Sequence, residues 1–119
     1  MTLAEFLLAR IAEDESVARN SALHFDDGRR ANWLEAASGV LDTGDELWTL
    51  GDSAISRHAE RFDPARVLAE CEAKRRIVEL VRPDPSMPVD SGRFVSAGVL
   101  MLLALPYADH PDYRDEWRP

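Results

Sequence analysis

The sequence predicts an α+β fold, a short antiparallel β-hairpin or meander packed against three to four helices. Three observations lead there. Residues 62–83 open with a capping signal, carry one apolar stripe at helical spacing and stop at a proline. Residues 2–19 repeat that pattern, with a cap and one apolar face. Between them, residues 31–50 alternate and then break at Gly39 and at Asp42-Thr43-Gly44-Asp45, as short strands and turns do. At 119 residues the chain is expected to form a single domain, 1–119. A chain of that size buries roughly two thirds of its unfolded surface.

The first helix is expected over residues 3–19. Thr2 and Glu5 stand at the two positions of a capping box, where each side chain satisfies a backbone donor. Met1 and Phe6 hold the positions of a hydrophobic staple. Leu3, Phe6, Leu7, Ile11 and Ala18 share one face, leaving Glu13, Asp14 and Glu15 solvated. Acids so late in a helix oppose its dipole, so fraying beyond Ser16 is expected.

Asp26-Asp27-Gly28 then signals a turn. Trp33 and Glu35 begin an alternation, and two apolar runs, Val40-Leu41 and Leu47-Trp48-Thr49-Leu50, flank the Asp42–Asp45 group. Two or three short antiparallel strands follow from this. The competing reading is a helix over 29–38 closed by Gly39.

Asp52 can cap a short helix over 53–61, with Ile55, Ala59 and Phe62 inward. In the next helix, 64–82, Asp63 is the N-cap and Pro64 sits at N1, where its missing N–H costs nothing. Phe62 is expected to staple to Val67. Val67, Cys71, Lys74, Val78 and Val81 form the inward stripe, widened by Leu68 and Ile77. Glu70–Lys74 and Glu72–Arg76 are i,i+4 pairs in the favourable order. Pro83 ends the helix. Residues 83–93, with Pro85 and Pro88, read as a linker, and 94–105 as an apolar, buried helix ended by Pro106. The tail, 106–119, carries Tyr107, Tyr113 and Trp117, so it is expected to dock with its acids outside.

Net charge is −8. Eleven acids face five bases over residues 1–59, five face six over 60–82, and six face three over 83–119. This balance disfavours nucleic acid as a partner. Cys71 is the only cysteine, which excludes an intrachain disulfide and a cysteine zinc site within one chain and fits a reducing cytoplasm. No basic leader precedes an apolar run, and the longest apolar stretch, 99–106, is too short to span a bilayer. Neither a secretory route nor a membrane is therefore expected.

Four motifs deserve a chemical reading. Val40-Leu41-Asp42-Thr43-Gly44 matches the core of retroviral-type aspartic proteases, but those are nearly all strand, and a hairpin turn explains the residues better. Gly51-Asp52-Ser53 resembles a serine-esterase block, yet Ser53 beside a capping Asp52 accounts for it. His58, His110, Asp109 and Asp112 could form a nitrogen/oxygen metal site or an acid–base pair if the histidines met. Taken singly, His58 is expected to be packed at the edge of a buried face, and His110, held extended before Pro111, to cap or orient the tail. Lys74, Arg75 and Arg76 could bind phosphate or an acidic partner, although Glu70, Glu72 and Glu79 would neutralise them within the helix.

Three pieces carry a resemblance: the capped first helix with its acidic run, R-H-A-E-R-F-D-P-A-R-V-L-A-E-C-E-A-K-R-R-I-V, and the end A-L-P-Y-A-D-H-P-D-Y-R-D-E-W-R-P. Together they resemble a family of unknown function from actinobacteria and their phages. The resemblance implies no activity. Many of those relatives carry cysteine pairs before the last helix, whereas residues 83–93 here have none, so a metal role is not carried over.

The expectation for function is a small non-catalytic protein-interaction or regulatory module, with a protein partner or self-association, as in a homodimer. No cofactor or metal is expected. The possible functional surface is His58, Lys74, Arg75, Arg76, His110, Tyr113 and Trp117. The alternative is a hydrolase or metal-dependent enzyme using His58, His110 and nearby acids.

Overall fold

The computed structural model describes residues 1–22, 32–44, 46–82, 86 and 92–119, the side chains of 92–94 excepted. Among these the fold is α+β. Four helices, α1 (Leu3–Ala22), α2 (Ser53–Arg61), α3 (Pro64–Val81) and α4 (Gly92–Ala104), accompany strands β1 (Leu34–Ala37), β2 (Val40–Asp42) and β3 (Leu47–Thr49). Two short 3₁₀ turns, Leu105–Tyr107 and Asp115–Trp117, complete the tail. The turn expected at Asp26-Asp27-Gly28 and most of the linker expected over 83–93 lie outside the described residues. No helix among the described residues is long and apolar enough to cross a membrane. The chain forms two compact units, Asp14–Cys71 and the pair of segments Met1–Glu13 and Glu72–Pro119.

In the unit Asp14–Cys71 the three strands form an antiparallel meander in the order β1-β2-β3. Leu34 pairs with Asp42 and Glu35 with Leu41, and a bulge at Ala36 precedes the Ala37–Val40 pair. Strand residues at 34–37 rule out the competing helix there. Gly39 turns the chain at φ 74°, and its carbonyl accepts the Leu50 N–H at 2.7 Å. A side chain at Gly39 would meet the Asp52 nitrogen at 3.0 Å, so glycine is required twice over, by conformation and by space. The next turn is tied by Asp42, whose carboxylate accepts the Gly44 N–H at 2.7 Å, with Gly44 at φ 102°. Asp42-Thr43-Gly44 is thus a side-chain-stabilised turn.

Asp52 caps α2 by accepting the Ala54 N–H at 2.7 Å. The inward face of α2 is not the expected one. Ile55 is 54% exposed and Phe62 42%, while Ser56 is fully buried. The cause is polar. α2 is fastened to β1 by hydroxyls that donate to Glu35, and this turns the apolar edge outward. Asp63 is the α3 cap, accepting the Arg66 N–H at 2.9 Å and the Trp33 N–H at 3.1 Å. Phe62 does not staple to a buried Val67. Its half-exposed ring faces the His58 ring at 4.8 Å and the Arg66 guanidinium at 4.5 Å. Arg66 also takes Glu70, at 3.0 Å, in place of the expected Glu70–Lys74 pair. Cys71 is buried, as the stripe requires.

In the other unit, the capping box forms in full, with Glu5 accepting the Thr2 N–H at 3.0 Å and Thr2 accepting the Glu5 N–H at 3.1 Å. Phe6, Leu7 and Ile11 are buried, whereas Met1 is 57% exposed rather than stapled. Phe6 is already covered by rings of the tail, which leaves no place for Met1. On α3, Val78 is fully buried, but Ile77 is 37% exposed and does not widen the stripe. Glu72 pairs with Arg76 at 2.8 Å. α4 begins at Gly92, and it is not buried all round. Leu100 and Ala104 are inside, and Val95 and Leu102 are outside.

The first helix itself also departs from expectation. α1 runs to Ala22 instead of fraying after Ser16, with the Ser21 hydroxyl bonded to the Ala18 carbonyl at 2.7 Å. Glu15, expected in solvent, is 8% exposed.

Candidate functional site

Two polar constellations and an open groove stand out among the described residues, each local to one unit. The first is built on the tail. The chain after α4 folds back so that four rings meet Phe6: Tyr107 at 6.4 Å, His110 at 5.7 Å, Tyr113 at 6.0 Å and Trp117 at 5.0 Å. Most cross edge-on, the arrangement the ring quadrupoles favour. Trp117 is 7% exposed, while Asp109, Asp112, Asp115 and Glu116 are exposed. His110 orients this tail. Its Nδ1 accepts the Asp112 N–H at 3.0 Å, and its ring meets the Arg10 guanidinium, with Nη1 2.8 Å from Nδ1. Arg10 is 7% exposed and pairs with Glu13 at 3.1 Å. Arg10 Nε and the Tyr113 hydroxyl are buried without a hydrogen-bond partner among the described residues.

The second constellation surrounds Glu35 on β1. Ser56, at the centre of α2, donates to its carboxylate, Ser53 donates at 3.2 Å, and Arg57 stands 3.6 Å away. The Ser56 hydroxyl foremost, with those of Ser53 and the Arg57 charge, holds the Glu35 carboxyl below the usual glutamate range against the opposing effect of burial. A carboxylate so engaged accepts bonds and is committed to fastening strand to helix.

The groove lies along the outer face of α2, with a volume of about 740 Å³, and the described residues that line it are Ala54, Arg57, His58, Glu60, Arg61 and Phe62. Ala54, Arg57, His58 and Arg61 follow one another at i, i+3, i+4 and i+7, which puts them on one helical face. His58 is therefore exposed in a groove, not packed at the edge of a core.

The expected surface residues thus fall in different surroundings. His110, Tyr113 and Trp117 come together around Phe6, and His58 joins Arg57 and Arg61. Arg75 and Arg76 share Glu72, at 3.7 Å and 2.8 Å, on α3, where Lys74 is half-buried. Among the described residues no group of three His, Cys, Asp or Glu side chains could hold a metal. Arg10, Glu35, Ser56 and Arg61 were not singled out from sequence. Arg10 had a signal, since it lies four residues after Phe6 and three after Leu7, on the apolar face. Glu35 and Ser56 had none, because they are 21 residues apart and meet only through the fold.

This is a small α+β protein with a tail-closed helical unit and a sheet–helix unit held by a polar clasp. The chain matches the Family of unknown function (DUF6221) over residues 1–119, and it belongs to that family. No curated protein and no solved structure matches it.

Proposed function

We propose that this chain is a non-catalytic protein-interaction module that self-associates through the outer face of α4. The observation that carries the reading is the one-sided burial of the large apolar side chains of α4. Leu100 and Ala104 are covered, while Val95 is 69% exposed, Leu102 59% and Leu105, in the following turn, 41%. Large apolar side chains left open together on one helix face are ordinarily covered by a partner surface. Fully covering a large side chain is worth about 1.5–3 kcal/mol, so at these exposures the three together favour association by roughly 2.5–5 kcal/mol per chain before its entropic cost. On α3, Leu80 is 85% exposed and adds to the apolar surface of the same unit. The buried thiol of Cys71 suits a reducing cytoplasm as the place of work.

The hydrolase alternative gains no support from the surroundings of its two histidines. The His58 ring faces Phe62, and His110 is occupied by Arg10 and the Asp112 N–H. The test is the solution mass of the purified chain beside that of Leu102→Glu. The proposal expects a dimer that the charge dissociates without loss of helix content. A monomeric wild type at high micromolar concentration refutes self-association.

A further inference from the structure

We infer that His110 pins the tail as a proton-sensitive latch: the neutral ring holds the tail over Phe6, and a proton on it loosens that hold. The inference concerns the tail alone and stands apart from the self-association reading. Three observations carry it.

First, the ring faces donors. Nδ1 accepts the Asp112 N–H at 3.0 Å, so this is where the neutral ring keeps its lone pair. The Arg10 guanidinium lies against both ring nitrogens, with Nη1 2.8 Å from Nδ1. A protonated imidazole has no lone pair and carries a positive charge. It would set N–H against N–H at Asp112 and cation against cation at Arg10.

Second, Arg10 has nowhere to retreat. It is 7% exposed, its guanidinium stands 5.3 Å from the Phe6 ring centre, and Nη2 is tied to Glu13 at 3.1 Å. The carboxylates nearby do not reverse the balance. Glu13, on α1, is engaged by Arg10 itself. On the tail, Glu116 pairs with Arg114 and Asp115 with Arg118. Asp109 and Asp112 are exposed, and neither pairs with the ring among the described residues. The phenols of Tyr107 and Tyr113 share the Phe6 surface, and phenols carry no charge between pH 5 and 8.

Third, the bonds of the tail converge on this residue. The His110 N–H donates to the Tyr107 carbonyl at 2.9 Å, and the His110 carbonyl accepts the Tyr113 N–H at 2.9 Å. Its ring meets Phe6 edge-on at 5.7 Å. A disturbance here reaches Tyr113 and, through it, the Trp117 ring 5.8 Å away. In a released tail a proton on the ring breaks none of these contacts. Acid therefore favours release, and release uncovers an aromatic surface around Phe6.

The test is hydrogen exchange of the full chain at about pH 8 and about pH 5, the limits of ordinary histidine titration, read by nuclear magnetic resonance and corrected for the intrinsic rate. The Glu35 clasp stays charged at both, since its pKa is lowered from 4.5. The Tyr113 and Trp117 amides, bonded at 2.9 Å and 3.0 Å, should lose about tenfold in protection at the lower pH, the worth of one or two hydrogen bonds. Val78, fully buried on α3, is the control and should change less. His110→Asn keeps a side-chain acceptor for the N–H two residues on but takes no proton, so its tail amides should be equally protected at both pH values. Arg10→Met keeps the packed stem and removes the cation, so the loss should shrink. Wild-type tail amides equally protected at both pH values would overturn the inference, whatever the state of the ring. So would an equal loss in His110→Asn, or an undiminished loss in Arg10→Met. Should His110→Asn fail to dock, the ring nitrogen signals of wild type decide: a loss in step with protonation of His110 supports the latch, and a loss out of step with it refutes the latch.

Discussion

Replacing Trp117 with alanine should unfasten the tail. The ring is 7% exposed, lies 5.0 Å from Phe6 and 5.8 Å from Tyr113, and carries the Arg114 guanidinium at 5.3 Å. Truncating a buried tryptophan costs about 3–5 kcal/mol, partly lost burial and partly the cavity left behind. Trp117 sits in the short 3₁₀ turn Asp115–Trp117 instead of a long helix or strand, so its surroundings can relax onto the gap and the lower figure applies, about 3 kcal/mol. At an unfolding entropy of about 2.1 cal/mol/K per residue, a chain this long loses about 4 °C per kcal/mol. The expected fall in Tm is therefore about 12 °C, with new binding of an apolar-surface dye as Phe6 is uncovered. The assay is a thermal melt by circular dichroism with a parallel dye titration. A variant that melts within about 2 °C of wild type and binds no dye would show that the tail adds nothing to the fold.

Three further outcomes follow from the local geometry. Tyr113→Phe removes a buried hydroxyl that has no partner among the described residues, so it should raise Tm by about 4 °C, the effect of about 1 kcal/mol, where a fall would mean the hydroxyl is satisfied. Gly39→Ala forces a left-handed φ on alanine and puts its Cβ 3.0 Å from the Asp52 nitrogen, which should cost at least about 2 kcal/mol in a denaturant titration; a neutral result would mean the turn is not tight. For Glu35 the sign is set by its lowered pKa. The clasp should contribute fully above the ordinary glutamate value of 4.5 and be lost as pH falls through the lower folded value. Glu35→Gln should therefore melt below wild type at neutral pH, with the gap closing in acid, and a gap independent of pH would remove the carboxylate from the account.

Much of this fold was legible because its punctuation is local. Thr2 with Glu5, Asp52, and Asp63 with Pro64 each mark a helix start within a few residues, and each makes the backbone bond its position implies. The Asp42–Gly44 turn is equally local. The faces of α2 were not legible. Its apolar residues suggested an inward edge of Ile55 and Phe62, but the decisive contact is a polar one between Ser56 and Glu35. Hydrophobic periodicity cannot anticipate a helix held by its hydroxyls. The burial of Arg10 was equally hidden, since it depends on His110, a hundred residues away. The outward position of His58 follows from the same rotation of α2, so the candidate groove could be read only once the strand that turns the helix was in place.

The most direct test of the interaction-module account is multi-angle light scattering of wild type and Leu102→Glu across a concentration series into the high micromolar range. The account predicts a wild-type mass that rises from monomer to dimer, and a variant that stays monomeric with unchanged helix content. A wild-type chain that remains a monomer throughout, indistinguishable from the variant, would contradict it.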